Sequence, residues 1–133
     1  MKNHKLVRQI DAVLASHASW HREMVIEIRR ARPDFVADHL VGPNRRCFFR
    51  DLLESNKIDA ATRKSEPYSV VRWLHGECHK LMDDIVVLVR EGRKTEAIAL
   101  LDGHCNGLHG TLERALMAWR EQVVARKTVP FYA

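Results

Sequence analysis

The sequence predicts an all-α protein: a four-helix bundle with one short additional helix that carries a candidate ligand cysteine. Three observations lead there. Six glycines and four prolines in 133 residues leave too few chain-breakers for a loop-rich β architecture. Long stretches place apolar side chains in alternating steps of three and four, the spacing of one buried helix face. The length, with 46% apolar and 29% charged residues, is that of one soluble domain able to bury a core. Residues 1–133 are therefore expected to form a single domain, its core over about 3–126 and its C-terminal tail over 127–133.

The first helix is expected from Asn3 to Ala31, stopped by Pro33. Its buried seam reads Leu6, Ile10, Val13, His17, Trp20, Met24, Ile28. His17 thus points into the core, and His21 lies on a flank of the same face. From Asp34 to Asn44 the pattern breaks, with Gly42-Pro43-Asn44 as a turn signal. Asn44 can cap a short helix from Arg45 to Glu54, with Cys47 in its first turn. The helix N-terminus and the neighbouring Arg45 and Arg46 favour the thiolate there, the form that binds metal. This short helix, between a Gly-Pro turn and a polar loop, is expected to be the least anchored element.

Residues Ser55 to Glu66 read as a polar loop with at most one helical turn, and Pro67 suits the first turn of the next helix. That helix, through Arg90, has the seam Val71, His75, Cys78, Met82, Ile85, Val89. His75 and His79 are one turn apart, so both imidazoles can converge on one point. The last long helix is expected from a Thr95 cap to Arg126, with the seam Ile98, Leu101, Cys105, Leu108, Leu112, Ala115, Trp119. Its stretch from Asp102 to Gly110 is rich in glycine and weak helix formers. His104 and His109, five apart, do not share a face well and are assigned to the surface or the outer surroundings of the site.

A single histidine in a buried seam is commonly a core residue bonded to a backbone carbonyl. Three histidines in two seams are hard to place that way, since an unpaired buried polar group costs about 1–3 kcal/mol. His17, Cys47, His75 and His79 are thus a candidate tetrahedral metal set, of residue types suited to zinc. Trp20, His21, Asp51 and Asp83 are candidates for the shell around it.

Other classes are disfavoured. No apolar leader opens the sequence, and the longest aliphatic run, Ile85 to Val89, is far too short for a membrane span. The cytoplasm is the expected compartment, where three cysteines would stay reduced. The charge of +5 is spread over five separate basic clusters without a helix-turn-helix pattern, so no nucleic-acid partner is expected. A di-iron centre would need bridging carboxylates, and the position one turn after His21 is Val25. Four protein ligands would close a zinc site, so an enzyme is not expected.

The order His17-Ala-Ser-Trp20, then Cys47-Phe-Phe, then His75-x-x-x-His79 resembles the chemoreceptor zinc-binding (CZB) domain family. The intervals of thirty and twenty-eight residues fit that pattern, which spans about Asp11 to Arg126. The resemblance implies a helical bundle that binds one Zn2+ through His17, Cys47, His75 and His79, commonly as a homodimer. It also implies regulation of chemoreceptors or diguanylate cyclases in bacteria, by zinc or by oxidants acting on Cys47. Arg50 and Leu52 stand where the family has glycine and tryptophan. No methyl-accepting coiled coil or cyclase follows the domain, so the signal is expected to pass to a separate protein. The remaining alternatives are a fragment of a longer receptor, a zinc buffer with a structural metal, and a non-signalling helical interaction module.

Overall fold

The computed structural model describes residues 2–30, 48–55 and 58–128. These are mostly helical, with no strand among them: α1 (Lys2–Arg30), α2 (Phe48–Leu53), α3 (Ala60–Arg63), α4 (Glu66–Arg90), α5 (Lys94–Leu100) and α6 (Asn106–Thr128). A π-helical turn, Leu101–Cys105, joins α5 to α6 without a break. Among the described residues no helix is long and apolar enough to cross a membrane.

Local chemistry accounts for the element ends. α1 contains neither proline nor glycine, and Arg29 and Arg30 in its last turn complement the helix dipole. In α3, Asp59 caps the first turn by accepting from the Thr62 amide at 2.7 Å. α4 opens with Ser65 at the cap and Pro67 in the first turn, as the sequence implies. It closes at Gly92, whose φ of 77° is open to glycine at little cost. There the Gly92 amide donates to Val89 O and the Arg93 amide to Leu88 O, so a Schellman motif satisfies two terminal carbonyls. The next helix starts at Lys94 with Arg93 at the cap, two residues earlier than a Thr95 cap would give.

The seams expected for α1 and α4 are buried at every position. The seam of the third long helix is the expected one in part: Leu101, Cys105, Leu112 and Trp119 are buried, whereas Ile98, Leu108 and Ala115 are only half-buried. The buried line runs Ala97, Leu101, Cys105, His109, Leu112, Leu116, Trp119, Val123. The π turn is the cause. Its i→i+5 bonding fits one more residue into the turn than an α-helix does. Everything after Cys105 is therefore rotated relative to a straight 3.6-residue reading. Leu116 and Val123 become fully buried, while Leu108 and Ala115 lie at the flanks.

α6 packs against both α1 and α4, while α2 sits on α1 and, through Phe49, against His75 of α4. The core has two apolar halves. One gathers Leu6, Ile10, Val13, Leu53, Val71, Leu112 and Trp119; the other gathers Met24, Ile28, Met82, Ile85, Val89 and Leu101. Buried histidines lie at the level between them: His17 between Val13 and Trp20, His75 between Leu74 and Leu81, His109 between Cys105 and Leu112. Ion pairs on the outside, Arg29 with Asp102 and Arg120 with Asp11 at 2.6 Å, tie α1 to the π turn and to α6. Being exposed and screened by water, these pairs orient the helices more than they stabilise the fold.

The rotated seam has a direct test in urea unfolding. Leu116→Ala, at a fully buried position, is expected to destabilise the fold by about 2–5 kcal/mol. Met117→Ala, at an exposed one, is expected to change stability by no more than about 0.5 kcal/mol. Equal costs would contradict the register.

Candidate metal centre

His17 reaches the middle of the core because α1 places it one seam step from both Val13 and Trp20. It is 7% exposed, and neither ring nitrogen has a hydrogen-bond partner. The surrounding rings are those of Trp20 at 5.2 Å, Phe49 at 5.7 Å, His75 at 6.3 Å and His109 at 4.9 Å between centroids. Across from it on α4, the one-turn spacing brings His75 and His79 edge to face at 4.4 Å. Their Nε2 atoms are 2.9 Å apart, so one imidazole donates to the other. Phe49 stacks on His75 at 4.2 Å, and the Trp20 indole tilts over His79 at 5.7 Å.

His79 is only half-buried. Beside it opens a cleft of about 390 Å³, lined by His75, Gly76 and His79 with Arg50, Glu54, Arg72, Lys80 and Asp83 around them. Solvent thus reaches His79, while His17 and His75 are buried.

The electrostatics disfavour charge on three of the imidazoles. His17 is held down to about 2, by burial first and then by the neighbouring His109, His75, His79 and His21. Burial also lowers His109, against the opposing pull of Glu113. His21 is lowered by burial and by His109, opposed by its hydrogen bond to Asn106 and by Glu113. A neutral imidazole is the metal-binding form, so His17 is in the protonation state that a metal requires.

Of the residues singled out from the sequence, His17, His75 and His79 come together. Cys47 lies outside the described residues, immediately before Phe48 at the start of α2. Trp20 and His21 belong to the cluster; His21 stacks on His109 at 3.8 Å. Asp83 is at the rim of the cleft, and Asp51 is exposed on α2.

Two expectations need correction. His109 is not at the surface: it is 8% exposed, stacked face to face on His17 and His21. The π turn put it there, and the signal was the poor helix-forming run Asp102-Gly-His-Cys-Asn-Gly, across which a straight register cannot be extended. His104 is exposed, as expected. The short helix is also better held than its flanks imply. Phe49, Leu52 and Leu53 are buried, and the Tyr68 hydroxyl donates to Leu53 O at 2.7 Å.

The donors fit a zinc ion in kind: three imidazoles, one of them buried with both nitrogens unsatisfied among the described residues. Among the described residues no three His, Cys, Asp or Glu side chains are already arranged closely enough to hold a metal. The rings meet face to face or edge to face, with the nitrogens not yet aimed at one point. Two nitrogens on one zinc would lie about 3.3 Å apart at Zn–N distances of about 2.0–2.1 Å, so the His75–His79 pair has to open slightly. The χ2 torsion of histidine is broad, and ring rotation of this kind costs little. Comparison with protein-family models, with curated proteins and with solved structures gives no match to this chain.

A neutral buried His17 makes metal-free stability depend on pH. Its folded value lies below the unfolded 6.5, so its contribution is complete above pH 6.5. It is lost as pH falls from there towards about 2, because the unfolded chain takes up a proton that the folded one refuses. In urea unfolding of metal-free protein, His17→Leu should reduce the stability lost between pH 7.5 and 5.5 by about 1.4 kcal/mol, the share due to this one residue. The same slope in both proteins would mean that His17 is not held neutral.

Proposed function

We propose that this chain is a zinc-binding regulatory or sensor domain, holding one Zn2+ through His17, Cys47, His75 and His79. The observation that carries the reading is His17, a histidine sealed in the core, facing two more, with both nitrogens unpartnered. A ligand that takes a lone pair there removes a cost that no hydrogen bond in the described residues removes. Three neutral imidazoles and one thiolate would leave the site with a net charge of about +1, and four protein ligands leave no open position for catalysis.

The bundle architecture follows the same logic. α1 and α4 both pack on α6, and α2 lies on the other side against His17 and His75. In this reading α2 and Cys47 form the fourth corner of a four-helix bundle, and the metal clamps all the corners together. A cytoplasmic homodimer that passes its state to a separate chemoreceptor or cyclase completes the proposal. Trp73, 63% exposed, and Val70 on the same face of α4 supply apolar surface for a second copy.

Cys47 gives the site its redox sensitivity. Hypochlorous acid would take two electrons from the thiolate sulfur, leaving a sulfenic acid and chloride, and a sulfenic acid is a weaker donor. The other two thiols are protected: burial pushes Cys78 up to about 12 and Cys105 up to about 11. The first of these is also raised by the proximity of Cys105.

Elemental analysis of purified protein is expected to give one zinc per chain and no iron. His75→Ala is expected to lose that zinc and to unfold at a lower temperature than the loaded wild type. A variant that keeps a full complement of zinc would remove His75 from the site. Under limiting hypochlorous acid, mass spectrometry should find Cys47 modified before Cys78 or Cys105, with zinc release in step. Modification of a core cysteine first, or zinc retained after Cys47 is oxidised, would reduce the metal to a structural role.

A further inference from the structure

α4 carries a second seam on the side opposite the one it buries in the bundle. There Val70, Trp73, Glu77, Lys80, Asp84 and Val87 follow one another in steps of three and four. That is heptad spacing, the pattern of a helix that packs along its length against another. The described residues leave this line open. Trp73 is 63% exposed, Val87 49% and Val70 41%, Lys80 and Asp84 are exposed, and Glu77 is half-exposed. Of the five large apolar side chains exposed among the described residues, three fall on this one line. The other two, Ile26 and Met117, lie apart on α1 and α6.

The order of the six residues fits one kind of partner. A two-fold axis midway between Glu77 and Lys80 turns the seam onto itself with the two helices antiparallel. Val70 and Val87 are equally distant from that axis, as are Trp73 and Asp84. Val70 therefore meets Val87 of the second copy, and Glu77 meets its Lys80, each contact occurring twice. Trp73 meets Asp84, whose carboxylate can accept from the indole N–H, the bond a covered indole needs. Among the described residues neither Glu77 nor Lys80 forms an ion pair, so both charges can bond across the axis. A parallel pair would instead set Glu77 on Glu77 and Lys80 on Lys80, like charges in contact at the middle. Beyond the apolar ends Glu66 faces Glu91, a repulsion softened by Arg93 beside Glu91 at 3.2 Å.

We propose that the outer face of α4 is an interaction surface for a second copy of this chain, with α4 packed antiparallel on α4 about the Glu77–Lys80 level. The inference rests on the homodimer in the reading above, gives it a contact face, and draws nothing from the metal. Lys80 belongs both to this seam and to the cleft that opens on His79. The second copy thus stands beside the solvent entrance to the histidine layer.

Sedimentation equilibrium of the full chain, zinc-loaded and metal-free, tests the face. Wild type is expected to form a dimer and nothing larger, because a two-fold contact closes on itself. Trp73→Glu should weaken association by at least about 100-fold. Glu77→Lys alone, or Lys80→Glu alone, sets like charges together at both central contacts and should weaken it by about 10-fold. The two reversals in one chain restore opposite charges and should return the constant to within about 3-fold of wild type. Ile26→Glu, exposed on α1, should leave association unchanged. Every substituted side chain is at least partly exposed, and circular dichroism should confirm that each variant is folded.

A wild-type chain that stays monomeric into the high micromolar range would overturn the proposal and remove the homodimer with it. Zinc content, measured separately, would still decide the metal. A dimer indifferent to Trp73→Glu and to the charge reversals would overturn the α4 contact alone and leave a homodimer through another face. A double reversal as weak as the single ones would overturn the antiparallel pairing.

Discussion

Because His17 is buried with neither nitrogen hydrogen-bonded, the middle of the core carries a cost that the apolar halves on either side have to offset. Each half is built of large, fully buried side chains: Ile10, Leu112 and Trp119 on one side, Met24, Ile28 and Ile85 on the other. Among the described residues, no hydrogen bond from either half reaches the His17 nitrogens. The fold holds that layer in place by packing above and below it.

Much of this was legible beforehand, and the reason is periodicity. In α1 and α4 an unbroken 3.6-residue pattern fixes which side chains are buried, so His17 and His75 could be put inside from spacing alone. Pro67 and the Gly92 stop are equally local signals. The third long helix was misread beyond Cys105, because periodicity assumes a constant rise per turn and the π turn breaks that assumption. Leu116 and Val123, more apolar than Ala115, were the evidence in the sequence for the other register. The anchoring of α2 was hidden for a different reason: it depends on Tyr68 and His75, remote in sequence, and no local pattern encodes a tertiary contact.

The two sides of the layer differ in access, which bears on how such a centre could respond. His17 and His109 are sealed among rings, whereas His79 borders a cleft lined by Arg50, Arg72 and Lys80 together with Glu54 and Asp83. Charges of both signs at the opening leave it without a strong preference for cations or anions. Access to the layer is thus from the α4 side, while the buried rings lie beyond it.

The π turn holds one residue more than an α turn would, and Gly103 sits within it, exposed with open space around its Cα, so a side chain there meets nothing. The extra residue is taken up inside the turn, so the helices on either side keep a common buried face. Removing that residue would leave an ordinary helix whose buried line runs on in steps of four and three, with Leu112, Leu116, Trp119 and Val123 still inside. The turn is thus a place where the chain can change length by one residue without moving the core, and keeping it costs only a local widening of the helix.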